Sequence, residues 1–294
     1  MSEADMSEGK ALIHYRDLLK ALASLEIDSH SRLVVHAAPG IGGHIAGGDE
    51  SLLGALLASS EMLLMPAFTP STEIIPPFGP ENNALEYGED DAANLYADIF
   101  TPDLPVDPGL GELAERFRTF PDSARSYHPL LSFSATGASE CLARQTLDEP
   151  LGPIGWMAEY DADVLLIGVD QRANVSLHWA ERMAGRKTFV RWALTEHGVL
   201  TCSNMPGCPE GFDAIDERLS GEVRRTALGP IALRAIALRD MLNVASGWIH
   251  EDPRALLCDR PVCSRCSAVR AEVRKTGHAD RPAGEIHPKM EDDR

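Results

Sequence analysis

Two spacings of apolar residues run through the first 185 positions. Between Lys10 and Leu25 they fall at Leu12, Tyr15, Leu18, Leu19 and Leu22, the three-to-four spacing of an amphipathic helix. Glu50 to Ser60 repeats that pattern with Leu52, Leu53, Leu56 and Leu57, and Leu110 to Thr119 predicts a third helix. Between these lie short continuous apolar runs of strand length: Arg32 to His36, Met62 to Met65 ended by Pro66, Leu131 to Ala135, and Val164 to Val169. The last is bounded by Asp163 and Asp170 and apolar on both faces, as a strand covered on both sides must be. A helix from Asn174 to about Met183 follows it. Lys187 to Ala193 and Val199 to Cys202, separated by His197-Gly198, read as a hairpin, and Ala232 to Ile249 reads as a C-terminal helix. Strands alternating with helices imply α/β architecture.

The pattern fails in three places. Residues 1–10 read as a frayed tail. From Thr69 to Pro108, prolines at 70, 76, 77, 80, 102, 105 and 108 punctuate an acidic insertion with a short helix expected around Ala92 to Ile99. Long loops of this kind often line a binding site. Beyond Ser267 the chain is charged and contains Pro and Gly, so residues 267–294 are expected to be disordered. This leaves one domain over 10–266, carrying the insertion at 69–108.

Composition narrows the function. The chain of 294 residues is 44% hydrophobic, enough for a substantial core. Its net charge is −18, with 45 acidic against 27 basic residues, the wrong balance for a phosphate backbone. A negative field attracts a cationic substrate, although acidity also serves solubility alone, and composition does not separate the two. The longest apolar stretch is only strand-sized, so no membrane span is expected. The acidic start, Met1-Ser2-Glu3-Ala4-Asp5, does not resemble a secretion signal, and a cytoplasmic address is expected.

The sharpest chemistry lies after the strongest strand. Asn174 can cap the following helix through its side-chain oxygen, which puts His178 in the second turn and Glu181 three residues on, along the same face. Ligands of open α/β sheets collect beyond the carboxyl ends of the strands, where a histidine can act as a general base. On spacing alone, a hydrogen-bonded structural histidine fits as well. The glycine-dense stretch from His36 to Gly48 can bring backbone N–H groups to a phosphate or can simply turn the chain into a helix. Arg125 and Ser126, with His128-Pro129 and Ser132, form a third group, since an arginine beside hydroxyls suits a phosphate or carboxylate.

Three segments together resemble the aminoglycoside 3-N-acetyltransferase family. The first runs from His36-Ala37-Ala38 through Gly47-Gly48 to Leu64-Met65-Pro66-Ala67-Phe68-Thr69. The second runs from Phe117-Arg118-Thr119 through Arg125-Ser126-Tyr127-His128-Pro129 to Gly137. The third runs from Gly152-Pro153-Ile154-Gly155 to Asn174-Val175-Ser176-Leu177-His178-Trp179-Ala180-Glu181. The resemblance spans about residues 10–250. It implies a mixed central sheet flanked by helices and transfer of acetyl from acetyl-CoA to a substrate amine, with His178 as base. It further implies that His36, Ala37, Ala38, Gly42, Gly43, Arg125, Ser126, His128 and Ser132 hold the CoA pantetheine and phosphates. Ser176 or loop amides are candidate donors to the oxyanion. The chain departs from the family at Ala37-Ala38, where hydroxyl residues are common, and at Arg172, where an acid is common. The carboxylate partner of His178 therefore stays open between Glu181 and Asp170, and the insertion leaves the acceptor open.

Of six cysteines, Cys258, Cys263 and Cys266 form a C-x4-C-x2-C run. Without an export signal, clustered thiols read as ligands of a structural zinc, with Cys208 as fourth ligand and Cys202 in reserve. The expected partners are a small cationic amine and acetyl-CoA, with neither nucleic acid nor membrane, for a monomer or homodimer. Two other readings remain: a relative using a different amine or acyl-CoA, and a non-catalytic zinc-containing binding protein on the same fold.

Overall fold

The structure, a computed structural model, describes residues 12–88, 94–219 and 221–279. The expected tail over 1–10 lies outside them. In chain order the elements are α1 (Tyr15–Ser24), β1 (Arg32–Ala37), α2 (Gly48–Ala58), β2 (Met62–Pro66), β3 (Glu73–Ile74), α3 (Glu112–Arg118), β4 (Ala124–Arg125) and β5 (Phe133–Thr136). They continue with α4 (Ser139–Leu142), α5 (Gly152–Glu159), β6 (Asp163–Ile167), α6 (Leu177–Met183), β7 (Phe189–Thr195), β8 (Gly198–Met205), β9 (Val223–Leu228), β10 (Ile231–Ala237), α7 (Leu238–Glu251) and α8 (Ser264–Ala279).

Seven strands form one mixed sheet in the order β4-β5-β2-β1-β6-β10-β9. Its centre, β2-β1-β6, is parallel, and antiparallel strands extend it at both sides. The side-chain period of two sorts the central strands onto two cores. Val34, Val164 and Leu166 face one core with α5, α6 and α7, while Leu33, Val35, Leu165 and Ile167 face the other with α1, α2 and α3. Both faces are dry, so the apolar reading of Val164 to Val169 holds, with the strand ending at Ile167.

A second, three-stranded sheet has the order β3-β7-β8. Through β3 the insertion joins this sheet, and Asn83 fastens it further by accepting from the Val190 N–H at 2.8 Å and donating to the Val190 carbonyl at 2.9 Å. No helix covers the described part of Ala92 to Ile99, residues 94–99; the remainder lies outside the described residues.

Two expectations are corrected. The helix expected from Ala232 begins only at Leu238, because Ile231–Ala237 is β10, paired antiparallel with β6 on one side and β9 on the other. The chain beyond Ser267 is not structureless over its described part: α8 runs to Ala279 and packs Ala268 and Val269 against Phe189, Ala193 and Met205 of the small sheet. Residues 280–294 lie outside the described part.

Candidate active site

α6 starts beyond the carboxyl end of β6, and local hydrogen bonds set its start. The fully buried Asn174 accepts from the Ser176 N–H at 3.2 Å through Oδ1 and donates from Nδ2 to Gln171 Oε1 at 2.9 Å. His178 and Glu181 then share the buried face of α6, each 6% exposed. His178 Nδ1 lies 2.6 Å from Glu181 Oε2, and Phe212 tilts against the imidazole with ring centres 4.7 Å apart. The carboxylate holds the ring proton on Nδ1 and leaves Nε2 as the nitrogen able to take a further proton.

The other Glu181 oxygen, Oε1, accepts from Arg186 Nη1 at 2.8 Å. Burial pushes the Glu181 carboxyl up, but the bond from His178 and then the charges of His178 and Arg186 outweigh it, leaving the group below its ordinary value. Asp170, the other candidate partner, is engaged elsewhere. It accepts from the Arg172 N–H at 3.1 Å and from the Arg172 guanidinium, which lowers its carboxyl. Glu181 is the residue on His178. Ser176 Oγ is buried beside this pair in sequence and has no hydrogen-bond partner.

The expected cofactor residues separate into two groups. His36 and Ala37, with Pro66, Gly109, Leu110, Val169 and others, line a cavity of about 250 Å³ at the carboxyl ends of β1, β2 and β6. Burial holds the His36 imidazole down to about 3, and its Nε2 has no partner. Ala38 donates to the Ile167 carbonyl at 2.9 Å. Gly43 is exposed with open space around it. Gly42 is buried, so close to Asp49 that an added Cβ would lie 2.3 Å from Oδ2. The Gly40 N–H donates to Glu112 Oε2 at 3.2 Å. Two carboxylates thus already stand at the glycine loop, an unfavourable place for a phosphate.

Arg125, Ser126, His128 and Ser132 face inward. Arg125 donates to the carbonyls of Pro102, Leu104 and Ala67 and to Ser132 Oγ, clamping the insertion to β2. Burial brings its guanidinium down to about 10. Ser126 bonds Gln145 and the Phe133 backbone, and Ser132 donates to the Ala67 carbonyl at 2.6 Å. His128 Nδ1 accepts from the N–H groups of Leu130 and Leu131, which fixes its proton on Nε2, and that nitrogen is buried without a partner. The hydrogen-bonding capacity that suggested an anion site here holds the chain together; among these four residues, the His128 ring carries the buried nitrogen with no partner at all.

A second cavity, of about 210 Å³, takes Pro70, Glu73 and Asp107 from the ends of the insertion and Arg191, Met205, Pro206 and Arg265 from the small sheet and α8. Gly207, which follows Pro206 of this wall, faces the site closely enough that an added Cβ would lie 3.8 Å from Glu181 Oε2. The cysteine expectation is met in geometry: the Sγ atoms of Cys208, Cys258, Cys263 and Cys266 all lie within 4.8 Å of one another. Cys202 is buried in the small-sheet core instead, its thiol pushed up to about 12 by burial. Arg186 and Phe212 are not marked by the sequence pattern. Arg186 follows Glu181 by five residues, but Phe212 comes from a distant turn that no local spacing connects to His178.

Fold and relatives together define an α/β acyltransferase. The chain belongs to the aminoglycoside 3-N-acetyltransferase family, whose model it matches over residues 34–250. It is 30% identical over 261 residues to aminoglycoside N(3)-acetyltransferase IX of Micromonospora chalcea, covering 78% of this chain and 90% of that protein. The crystal structure of the apoenzyme of aminoglycoside acetyltransferase AAC(3)-IVa superposes with a TM-score of 0.72 at 25% identity, covering 89% of this chain and 98% of the other. AAC-IIIb in binary complex with CoASH shares the fold, with a TM-score of 0.66 at 20% identity over 82% of this chain and 97% of the other. No helix among the described residues is long and apolar enough to cross a membrane.

Proposed function

We propose that this chain transfers acetyl from acetyl-CoA to an amine of an aminoglycoside-type acceptor, with His178 as general base and antibiotic resistance as the consequence. The observation that carries the reading is the buried His178–Glu181 pair at 2.6 Å in a chain that belongs to this family. The acceptor amine must lose a proton to attack a thioester carbonyl. As the N–C bond forms and the C–S bond breaks, His178 Nε2 takes that proton and returns it to the departing thiolate. Glu181 stabilises the imidazolium that exists in between. Ser176 Oγ, buried and unmatched, is the candidate donor to the carbonyl oxygen as it gains charge. The uncharged pantetheine arm fits the cavity holding His36 and Ala37, and the acceptor fits the cavity bearing Glu73 and Asp107.

The experiment is incubation with acetyl-CoA, a panel of amines and a thiol reagent. Free CoA should accumulate with an aminoglycoside, and His178→Ala should abolish that release while retaining CoA binding. Turnover surviving in His178→Ala would exclude His178 as base.

Within the same reading, Cys208, Cys258, Cys263 and Cys266 bind one structural zinc. Tetrahedral Zn–S bonds of about 2.3 Å put the sulfurs about 3.8 Å apart, a small contraction of the present cluster. Burial raises the Cys258 thiol, but the Arg260 N–H, the neighbouring thiols and the Arg260 side chain bring it down to about 7, which eases thiolate formation. Four thiolates leave no open position for catalysis. Elemental analysis of protein purified without added metal should return one zinc per chain; a clearly lower content would exclude the site.

A further inference from the structure

Glu181 is a buried carboxylate with two duties, and the role of His178 as base accounts for only one of them. Its Oε2 orients the imidazole; its Oε1 meets Arg186 at 2.8 Å. The Arg186 side chain is 3% exposed, so this is not a solvated surface pair. The arginine is itself held from behind. Its Nη2 donates to the Ala255 carbonyl at 2.7 Å and the Pro253 carbonyl at 3.1 Å, while its backbone N–H closes the end of α6 on the Glu181 carbonyl at 2.9 Å.

The segment that supplies those carbonyls joins α7 to Cys258, the first thiol of the terminal run. It also lies tight against the loop that carries Phe212. A Cβ on Gly211 would come within 2.5–2.8 Å of backbone atoms of Leu256, Leu257 and Cys258. Arg265, from α8, donates to the Gly207 carbonyl at 3.1 Å, next to Cys208. The base is therefore gripped from two sides by chain that converges on the cysteine cluster: Phe212 lies on its face, and Arg186 sits behind its carboxylate.

We propose that Arg186 is the positioning residue of this site, holding Glu181 on His178 and balancing the carboxylate's charge so that the imidazole stays free to accept a proton. The inference rests on the reading of His178 as general base. A buried carboxylate facing a neutral imidazole alone is an uncompensated charge, and its cheapest relief is to hold an additional proton on the ring. A ring so protonated is no base. With Arg186 in place, the carboxylate is matched before the reaction and still able to stabilise the imidazolium during it. Glu181 and Arg186 are the charged side chains placed on His178 from α6 and the turn after it. The 212 loop presents the Phe212 ring, and α7 presents Met241 to neighbouring Asn174.

The test compares Arg186→Met and Arg186→Lys with the wild type as full-length protein, monitoring metal content, circular dichroism, kcat, KM and the pH profile of kcat/KM. Arg186→Met should lower kcat at neutral pH by about tenfold or more with KM for acetyl-CoA little changed. It should also move the acid limb of kcat/KM upward by about one pH unit or more, the scale of a lost neighbouring charge. Arg186→Lys keeps the charge but cannot reach Glu181 and both carbonyls together. Its acid limb should stay near that of the wild type while kcat falls part of the way.

An unmoved acid limb in Arg186→Met overturns the proposal, as does a Lys variant displaced as far as the Met variant. Should the Met variant fail to fold, Arg186→Gln takes its place: an upward-shifted limb supports the proposal and an unmoved one overturns it. Failure of the underlying reading looks different, as persistent turnover in His178→Ala.

Discussion

Glu181→Gln tests the buried pair directly. The substitution keeps the side-chain volume but removes the charge and one of two acceptor oxygens. In the native site Oε1 serves Arg186 and Oε2 serves His178, at 2.8 and 2.6 Å. A glutamine oxygen can serve one of them, and its NH2 then points at the other donor. The arginine keeps its carbonyl bonds but loses its counter-charge at 3% exposure. Removing one partner of a buried pair costs about 3–5 kcal/mol, and the retained hydrogen bond puts this variant at the lower end, about 3 kcal/mol. With a urea m-value of about 3 kcal/mol/M, the midpoint should fall by about 1 M. Loss of the group that fixes the Nδ1 proton should lower kcat by about 10²–10⁴.

The pH dependence of that stability difference has a definite sign. The folded carboxyl lies below its ordinary value, so its contribution is present above the unfolded carboxylate range and disappears as pH falls through the folded value. The gap between wild type and Glu181→Gln should therefore close in acid. Equilibrium urea unfolding at about pH 7.5 and at progressively lower pH, with acetyl-transfer rates on the same samples, measures all three quantities. A variant within about 1 kcal/mol of wild type and retaining full kcat would refute the account of a charge-matched, buried pair.

Two further outcomes follow from burial elsewhere. His36 and His128 are held down to about 3 and about 4 by burial, below the ordinary histidine value near 6.5. The unfolded chain therefore binds more protons as pH falls below about 6.5. Stability should drop by about 2 kcal/mol per histidine between about pH 6.5 and 5, read from urea midpoints; His128→Gln should flatten that slope, and an unchanged slope would count against the buried neutral ring. Gly137→Ala should destabilise by about 2–4 kcal/mol, because φ is +66° and the new Cβ would lie 2.1 Å from the Glu61 carbonyl oxygen. Thermal unfolding of that variant at wild-type temperature would refute the contact.

The elements legible in the sequence were those whose pattern and packing agree. β1, β2 and β6 are continuous apolar runs because both sheet faces are covered, and α6 is announced by Asn174 and its buried face. β10 was hidden because Ile231-Ala232-Leu233-Arg234-Ala235-Ile236-Ala237 runs without punctuation into the helical pattern of α7. Its partner β9, Val223-Arg224-Arg225-Thr226-Ala227-Leu228, carries too few apolar residues to signal a strand alone. α8 is rich in charge, and what orders it is tertiary: its contact with the small sheet and its bonds toward Gly207 and the cysteine cluster. Cys208 could be matched with the terminal cysteines because thiols have few uses; Arg186 could not be matched with carbonyls 67 and 69 residues away, since any carbonyl accepts.

The Arg125 segment shows how residues suited to an anion can be engaged within the chain itself. A guanidinium beside two hydroxyls is chemically right for a phosphate, but here the carbonyls of Ala67, Pro102 and Leu104 accept from it, tying the end of the insertion to the residue that follows β2. Turning the guanidinium to a ligand would give up these carbonyl bonds, although the Ala67 carbonyl would keep its bond from Ser132. At the glycine loop, Asp49 and Glu112 already accept from backbone amides. What remains beside the sheet ends is His36, neutral and with one ring nitrogen unmatched. A neutral hydrogen-bonding ring in an apolar cavity suits an uncharged amide better than a phosphate.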